Sequence, residues 1–298
     1  MKRAVVVSNP NASRVDLGGL ERALAVLRRG GVHAQVLRTS ERGHGEALAR
    51  EAVASGTDLL IAHGGDGTIM EVAAGMLGSR VPLGLLPAGT GNRLADNLGI
   101  PWESGEAAAL ILEGRARALD LGRLTTSEGT RTFAVTAGCG FDADLMLRTG
   151  SAAKRELGVG AYVATAMRMG ATITQADVRV ETEHGTTTAR VAMVLVANCP
   201  GIIPHGSPMA PGIRPDDGLF DVLLIDVPTL AAAARVGLRL VMGEADRDEA
   251  VTMLKATRVA VVAEPALPAQ ADGEPHGSTP FTAEIVPHGL TVLAPWRP

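Results

Sequence analysis

Residues 64–68, Gly-Gly-Asp-Gly-Thr, form a stretch whose residue types could support chemistry on a phosphate. Glycine lets the backbone approach a ligand closely and adopt positive φ. A helix that begins here would present unpaired N–H groups and a partial positive charge to an anion. Asp66 could organise the metal ion that accompanies a phosphate. The alternative is an ordinary tight turn in which Asp66 only caps the helix.

Three more polar stretches contain glycine, at Gly89–Asn92, Asp216–Asp221 and Asp272–Glu274. Each alone is typical of a turn, but together they offer hydroxyls, backbone amides and carboxylates. Phosphoryl transfer needs donors for the phosphates, acids for Mg²⁺ and a base near the attacking hydroxyl. Thr39 and Ser40 follow a predicted strand, at the end of the sheet where open α/β proteins place their ligand contacts.

Several other site types are excluded or disfavoured by their missing motifs. The chain has no GxxxxGK[ST] loop, no GxSxG elbow and no HExxH pair, which excludes P-loop proteins, serine hydrolases of that type and zinc proteases. Residues 138–143 satisfy G-x-G-x-x-A, but the βαβ rhythm and the acidic residue of a dinucleotide site do not follow. His63, His205 and His276 each adjoin a glycine, and we interpret them as loop histidines rather than ligands.

The first 115 or so residues alternate between strand and helix patterns, which predicts a parallel α/β sheet. The apolar runs predict strands at 4–7, 34–37, 58–62 and 82–86 and helices at 15–29, 45–54, 68–77 and 106–112, with a further helix after Asn92 that continues through Leu94, Ala95 and Leu98.

After about Gly122 the pattern changes, and it predicts a β-rich second domain. The predicted strands are 117–124, 131–137, 177–182, a long strand from residue 185 that ends at Asn198, 219–225, 258–262, 282–286 and 291–293, and the predicted helices are 161–169 and 229–242. Residues 265–280 carry four prolines and are interpreted as a loop.

Composition limits the partners of this chain of 298 residues. A formal net charge of −4 argues against a nucleic-acid-binding protein. The two cysteines form no disulfide framework, which favours reducing, cytoplasmic surroundings. The longest apolar run, Val191–Ala197, is far shorter than the roughly 20 residues of a membrane-spanning helix. We therefore expect a cytoplasmic protein that meets lipid only at a surface.

The motifs together resemble a known superfamily. Gly64–Thr68 resembles the nucleotide loop of the diacylglycerol kinase, sphingosine kinase and NAD kinase superfamily, and Pro87–Asn92 ahead of Leu98–Pro101 resembles the diacylglycerol and sphingosine kinase branch. The other matching segments, in chain order, are Asn9-Pro10, Leu119–Gly122, Gly138–Ala143, Asn198, Ala210–Asp221 and Asp272–Glu274.

This resemblance implies a fold and an organisation into domains. It implies an N-terminal phosphofructokinase-like α/β domain and a C-terminal β-sandwich domain, with the active site in the cleft between them. We expect the ATP-binding domain at 1–122 and the β-rich lipid-substrate domain at 123–298, with a return of the extreme C-terminal residues to the first domain left open.

The resemblance also implies roles for individual residues. Glu274 would be the general base that accepts the proton of the lipid hydroxyl, with Asp272 beside it and Asp66 positioning the triphosphate. Asp217, the backbone of Leu219 and Arg214 would hold a structural Mg²⁺. The residues expected to line the ATP site are Asn9, Thr39, Gly64, Gly65, Asp66, Gly67, Thr68, Gly89, Thr90 and Asn92.

One position departs from the pattern of the family. Many relatives carry Asp directly after the Gly-x-x-Asn motif, whereas this chain has Arg93, with Asp96 three residues further on. Arg93 brings a positive charge to the expected phosphate site, where it could bind phosphate itself. Asp96, one helical turn along, is a candidate substitute for the missing acid.

The resulting hypothesis is an ATP- and Mg²⁺-dependent kinase that phosphorylates a hydroxyl of a diacylglycerol-like or sphingoid lipid at a membrane surface. A NAD kinase and a non-catalytic nucleotide- or lipid-binding protein are the alternatives. We expect no nucleic-acid partner and no transmembrane segment, and leave open both a homodimer and peripheral attachment to the inner face of the membrane.

Overall fold

The structure, a computed structural model, describes residues 2–14, 16–141, 173–202 and 205–296. It divides into two compact units, the first formed by residues 1–120 with 287–298 and the second by residues 121–286. The helix predicted at 161–169 lies outside the described residues.

The described residues form the following helices and strands, each numbered in chain order. The helices are α1 (Leu17–Arg29), α2 (His44–Ala54), α3 (Asp66–Gly75), α4 (Arg93–Leu98), α5 (Ser104–Glu113) and α6 (Leu230–Met242). The strands are β1 (Lys2–Ser8), β2 (Val32–Arg38), β3 (Leu59–Gly64), β4 (Leu83–Pro87), β5 (Arg115–Thr126), β6 (Gly129–Phe133), β7 (Thr136–Gly140), β8 (Ala176–Thr182), β9 (Gly185–Val191), β10 (Met193–Ala197), β11 (Phe220–Ile225), β12 (Val251–Ala256), β13 (Arg258–Glu264), β14 (Pro268–Ala271), β15 (Glu274–Ser278) and β16 (Phe281–Ala294).

The first unit is built on a parallel sheet. Its strands run in the order β2-β1-β3-β4, and the final part of β16 adds to β4 in the parallel sense at Val292. The helices form two pairs on this sheet, since α1 packs against α5 and α2 against α3. Every residue of β3 and β4 is buried, as expected for parallel strands covered on both faces. The carboxyl ends of β1 to β4 therefore meet at one edge.

The second unit is a sandwich of two antiparallel sheets. One sheet has the order β12-β11-β10-β7-β14-β15, and in the other the first part of β16 pairs with β13, followed by β8 and β9. Inward-facing residues of both sheets form one core, in which the rings of Phe133 and Phe220 stack with their centroids 5.5 Å apart. Burial of these aromatic and aliphatic side chains is the main stabilising contribution to this unit.

The opposite face of the six-stranded sheet is buried as well. Leu223 and Ile225 of β11 pack there against Met209 and against Val236 of α6. A strand covered on both faces is buried along its whole length, and β11 is accordingly buried at every residue, including Asp221. The predicted fold class, an α/β domain followed by a β-sandwich domain, is confirmed.

The interpretation of residues 265–280 as a loop is wrong, since this segment contains β14 and β15. Proline is tolerated here because Pro268 is the first residue of its strand and Pro275 lies on β15, at the edge of the sheet. A proline on an edge strand removes no hydrogen bond from the ladder where its missing N–H would face solvent.

Two predicted long strands are each divided between the two sheets. Residues 131–137, predicted as one strand, belong to β6 and β7, and the strand predicted to end at Asn198 is divided into β9 and β10. An apolar run stays apolar where the chain crosses from one sheet to the other, so hydrophobic periodicity alone does not show the crossing.

Candidate active site

The carboxyl edge of the parallel sheet brings together four of the predicted polar segments. The N–H of Thr39 donates to the Ser8 carbonyl at 2.9 Å, which places the end of β2 beside the end of β1. The N–H of Asn9 donates to the His63 carbonyl at 3.0 Å, and its side-chain amide donates to the Thr68 hydroxyl at 3.1 Å. Asn9 therefore links the end of β1 to the first turn of α3.

Two glycine loops lie against each other, backbone to backbone. The N–H of Ala88 donates to the Gly64 carbonyl at 2.8 Å. A Cβ atom added to Gly89 would lie 2.6 Å from the Cα of Gly65, which is closer than real Cβ contacts. Glycine is required at this contact because any side chain would push the loop after β3 away from the loop after β4.

Asn92 shapes the second of these loops. It adopts the left-handed region with φ of 45° and is almost fully buried. Its side chain accepts a hydrogen bond from the N–H of Gly89 and donates one to the Gly89 carbonyl, both at 2.9 Å. The hydroxyl of Thr90 lies 2.9 Å from that of Ser13, a residue that no sequence motif indicated.

Asp66 joins the start of α3 to the start of α4. Its Oδ1 accepts a hydrogen bond from the backbone N–H of Arg93 at 2.6 Å, and the Arg93 Nε lies 3.9 Å from Oδ2. The two side chains are only 23% and 15% exposed, so the pair is screened less than a surface ion pair. Among the described residues no side chain caps the N-terminus of α3, so its first amides are left for another acceptor.

His63 lies in β3 rather than in a loop, so its interpretation as a loop histidine is wrong. Its Nδ1 is 2.8 Å from the Ser8 hydroxyl, and both residues are buried. Burial lowers the pKa of His63 below its ordinary value, which keeps the ring neutral at pH 7. His63 therefore supports the edge of the sheet and adds no charge to it.

In the second unit, Asp272 is a structural acceptor in a tight hairpin. Asp272 and Gly273, between β14 and β15, have φ of 47° and 72°, the pattern of a type I′ turn. The Asp272 carboxylate accepts hydrogen bonds from the N–H groups of residues 134, 135 and 136 at 2.8, 2.9 and 3.0 Å. These donors belong to the segment in which the chain crosses from β6 to β7.

Asn198 supports the same crossing from another side, since its amide donates to the Ala134 carbonyl at 2.7 Å. Two of the segments that carry the family resemblance, Asp272–Glu274 and Asn198, are thus brought together around one sheet crossing.

Glu274, the predicted base, is the first residue of β15 and is 37% exposed at its side chain. Its Oε2 lies 2.5 Å from Nη2 of Arg131 on β6. No sequence pattern distinguished Arg131 from the other arginines, because its partner is more than a hundred residues away in the chain. The ion pair fixes the direction in which the carboxylate points.

Each residue expected to hold a structural Mg²⁺ makes a polar contact in the structure. The Leu219 N–H donates to Oδ1 of Asp217 at 3.1 Å, and Arg214 pairs with Asp216 at 3.2 Å. The Lys255 ammonium lies 3.8 Å from Oδ2 of Asp217. Within the part of the chain that the structure describes, no group of three or more His, Cys, Asp or Glu side chains could hold a metal ion. In this structure the positive charge beside the Asp217 carboxylate is the Lys255 ammonium.

Two protein families match this chain, one over each part of it. Residues 3–124 match the diacylglycerol kinase catalytic domain, and residues 135–294 match the YegS C-terminal NAD kinase beta sandwich-like domain. The protein named probable lipid kinase YegS-like of Chromohalobacter salexigens is 31% identical over 290 residues, which cover 96% of this chain and 91% of that protein. The diacylglycerol kinase of Bacillus subtilis is 31% identical over 284 residues, which cover 94% of this chain and 92% of that protein.

Solved structures share the fold. The crystal structure of a diacylglycerol kinase from Bacillus anthracis aligns with a TM-score of 0.76 at 22% identity, covering 98% of this chain and 97% of that one. A second structure from the same organism aligns with a TM-score of 0.83 at 24% identity.

A diacylglycerol kinase catalytic domain followed by a β-sandwich domain is the arrangement that defines this class of proteins, the lipid kinases. The chain belongs to the diacylglycerol kinase-like family of lipid kinases, to which the sequence motifs assigned it.

Proposed function

We propose that this kinase transfers the γ-phosphate of ATP to a hydroxyl of a diacylglycerol-like or sphingoid lipid. The observation that carries the proposal is the convergence of Asn9, Thr39, Gly64–Thr68 and Gly89–Asn92 at the carboxyl edge of one parallel sheet. At this edge lie glycines whose backbone N–H groups a ligand can approach closely, the hydroxyls of threonine, and the uncapped N-terminus of α3. Together they are the hydrogen-bond donors that phosphates require.

The first unit supplies the proposed nucleotide site. The amides at the start of α3 would bind the phosphates, the hydroxyls of Thr90 and Thr68 would add donors, and the Arg93 guanidinium would contribute positive charge. Mg²⁺ bound to the triphosphate would neutralise the charge that develops on the transferred group. Asp66 is the carboxylate at these loops that would hold that ion, since the triphosphate supplies negative charge that offsets the Arg93 guanidinium 3.9 Å away.

The second unit supplies the proposed base. A carboxylate such as Glu274 accepts the proton of the acceptor hydroxyl as the oxygen attacks the γ-phosphorus. The Arg131 guanidinium, 2.5 Å from this carboxylate, positions it. We propose the structural role described above for Asp272 in place of the catalytic one, because its two oxygens already accept three backbone hydrogen bonds.

The lipid acceptor implies work at a membrane surface. No helix in the described ranges is long and apolar enough to cross a bilayer. We infer that the enzyme reaches its substrate as a peripheral protein at the inner face of the membrane. The names of its relatives favour diacylglycerol as the first acceptor to test.

The test is transfer of label from [γ-³²P]ATP in the presence of Mg²⁺ to a panel of diacylglycerols, sphingoid bases and NAD. We expect label in a lipid phosphate, and a loss of kcat of at least about 100-fold in the Glu274→Gln variant. The matched control is Glu284→Gln, which removes the charge of an exposed glutamate on β16 that pairs with Arg258.

Three outcomes would overturn parts of this proposal. Label in NAD alone would make the chain a NAD kinase. ATP binding without transfer to any acceptor would make it a non-catalytic binding protein. Full activity of the Glu274→Gln variant would remove Glu274 as the base while leaving the kinase assignment intact.

A further inference from the structure

Lys255 stands at the centre of a group of oxygen atoms in the second unit. Its ammonium is 3.0 and 3.1 Å from the two carboxylate oxygens of Asp221 and 3.8 Å from Oδ2 of Asp217. The Gly212 carbonyl lies 3.4 Å from the same nitrogen. One ammonium thus contacts oxygens from the start, the middle and the end of the segment 212–221.

The sheet itself fixes this arrangement. Lys255 on β12 is paired directly with Asp221 on β11 in the antiparallel register, so the two side chains emerge next to each other on one face. Asp221 is only 3% exposed, and a carboxylate at that depth requires a counter-charge. Burial raises the pKa of Asp221, an effect that the Lys255 ammonium opposes.

The neighbouring charges are arranged around the same cation. Asp217 also accepts the N–H of Leu219, which turns the loop back on itself, and Asp216 is neutralised by Arg214. A divalent ion at Asp217 would lie beside the Lys255 ammonium and would be repelled by it.

We propose that Lys255 is the resident cation of the loop 212–219 and that it replaces the structural divalent metal that the resemblance to the family implied. The loop then folds without added metal, and Mg²⁺ is needed only with the nucleotide. This inference concerns the stability of the second unit and does not depend on the proposed kinase reaction.

The test is thermal unfolding of the full chain without nucleotide, in EDTA and in MgCl₂. For the wild-type protein we expect the same unfolding midpoint in both buffers. In EDTA the Lys255→Met variant should unfold about 3–6 °C lower than wild type, as expected when a buried carboxylate loses its counter-charge. Mg²⁺ or Ca²⁺ should restore part of that loss, because the vacated oxygens can then bind a divalent ion.

Two variants serve as controls. Lys255→Arg keeps the positive charge and should remain insensitive to EDTA. Arg258→Met removes an exposed cation on the next strand along the chain, β13, where it pairs with Glu284, and should acquire no dependence on Mg²⁺.

A wild-type midpoint that falls in EDTA and recovers in MgCl₂ would overturn the proposal, whether or not the variants fold. A Lys255→Met variant that unfolds at the wild-type temperature in EDTA would also contradict it, since the ammonium would then stabilise nothing. Neither result would bear on lipid phosphorylation, which the labelled-ATP assay measures separately.

Discussion

The backbone N–H of Arg93 donates to Oδ1 of Asp66 at 2.6 Å, while the guanidinium of the same residue lies 3.9 Å from Oδ2. One arginine therefore contacts the carboxylate in two ways, through its backbone and through its charge. The backbone contact persists with any side chain at position 93 that leaves the loop in place. The charge contact is specific to a cation and sets the local potential at the proposed phosphate site.

Replacing Arg93 separates these two contacts. Arg93→Ala keeps the hydrogen bond to Asp66 and should raise the KM for ATP about 3- to 10-fold, because a charge-assisted contact to the phosphates is lost. Arg93→Asp, which introduces the acid that many relatives carry, should lower the Mg²⁺ concentration needed for half-maximal rate, because a second carboxylate beside Asp66 adds a ligand for the ion. Initial rates measured against ATP and Mg²⁺ test both expectations.

The control for these variants is Arg50→Ala, which removes an exposed arginine of α2 that pairs with Glu46 one helical turn away. It should leave the KM for ATP unchanged. If Arg93→Ala also left that KM unchanged, Arg93 would have no part in nucleotide binding.

The close approach of Gly65 and Gly89 makes Gly89→Ala a severe change. The new methyl group would lie 2.6 Å from the Gly65 Cα and 2.9 Å from Oδ1 of Asn92, so the two loops must separate. We expect a destabilisation of about 1–3 kcal/mol together with a large rise in the KM for ATP. Unfolding followed by tryptophan fluorescence reports the first unit, because Trp102 and Trp296 both belong to it.

Gly237→Ala provides the matched glycine control. Gly237 lies within α6, and a Cβ atom added to it meets nothing within 4 Å. This variant should be neutral or stabilise the protein by up to about 1 kcal/mol, because alanine favours the helix. Equal effects of the two substitutions would rule out a specific role for the glycine contact.

The first unit was largely predictable from the sequence because its signals are local. Each strand is followed within a few residues by glycine or a polar residue and then by a helical pattern, as at Gly64–Thr68. Parallel strands bring their carboxyl ends to one edge, so the order of these segments was enough to predict that Asn9, Thr39 and Gly89 lie near one another.

The second unit was less predictable because its decisive contacts join distant parts of the chain. Asp272 accepts hydrogen bonds from residues 134–136, and Arg131 pairs with Glu274, across more than a hundred residues in each case. No periodicity marks such partners. Lys255 was likewise missed, since its pairing with Asp221 depends on the register between β11 and β12.

Asp272→Asn tests whether Asp272 is structural. Asparagine tolerates the left-handed backbone, but its NH₂ group would face one of the three N–H donors that the carboxylate now accepts. We expect the second unit to lose about 2–4 kcal/mol of stability, since a buried donor is left unsatisfied. Urea unfolding followed by circular dichroism measures this loss, with the exposed Asp177→Asn as control.

Glu274→Gln separates stability from catalysis at the neighbouring position. Its side chain is partly exposed and bonds to Arg131 rather than to the sheet crossing, so its stability should change by less than about 1 kcal/mol while activity is lost. A stable Asp272→Asn protein with no activity would assign catalysis to Asp272 instead.

His63 gives the first unit a pH dependence of stability. Burial lowers the pKa of His63 in the folded protein, whereas in the unfolded chain the ring titrates near its ordinary value of about 6.5. Below that pH the unfolded state binds the extra proton, so this contribution is fully present above about pH 6.5 and is lost as the pH falls towards the folded pKa. Urea unfolding monitored by tryptophan fluorescence should therefore show a lower free energy of unfolding at about pH 5.5 than at about pH 7.5.

His63→Asn, which retains an acceptor or donor towards Ser8 without a titrating ring, should reduce this difference, and His33→Asn at an exposed position of β2 should leave it intact. An identical pH dependence in the wild-type and His63→Asn proteins would show that His63 does not cause it.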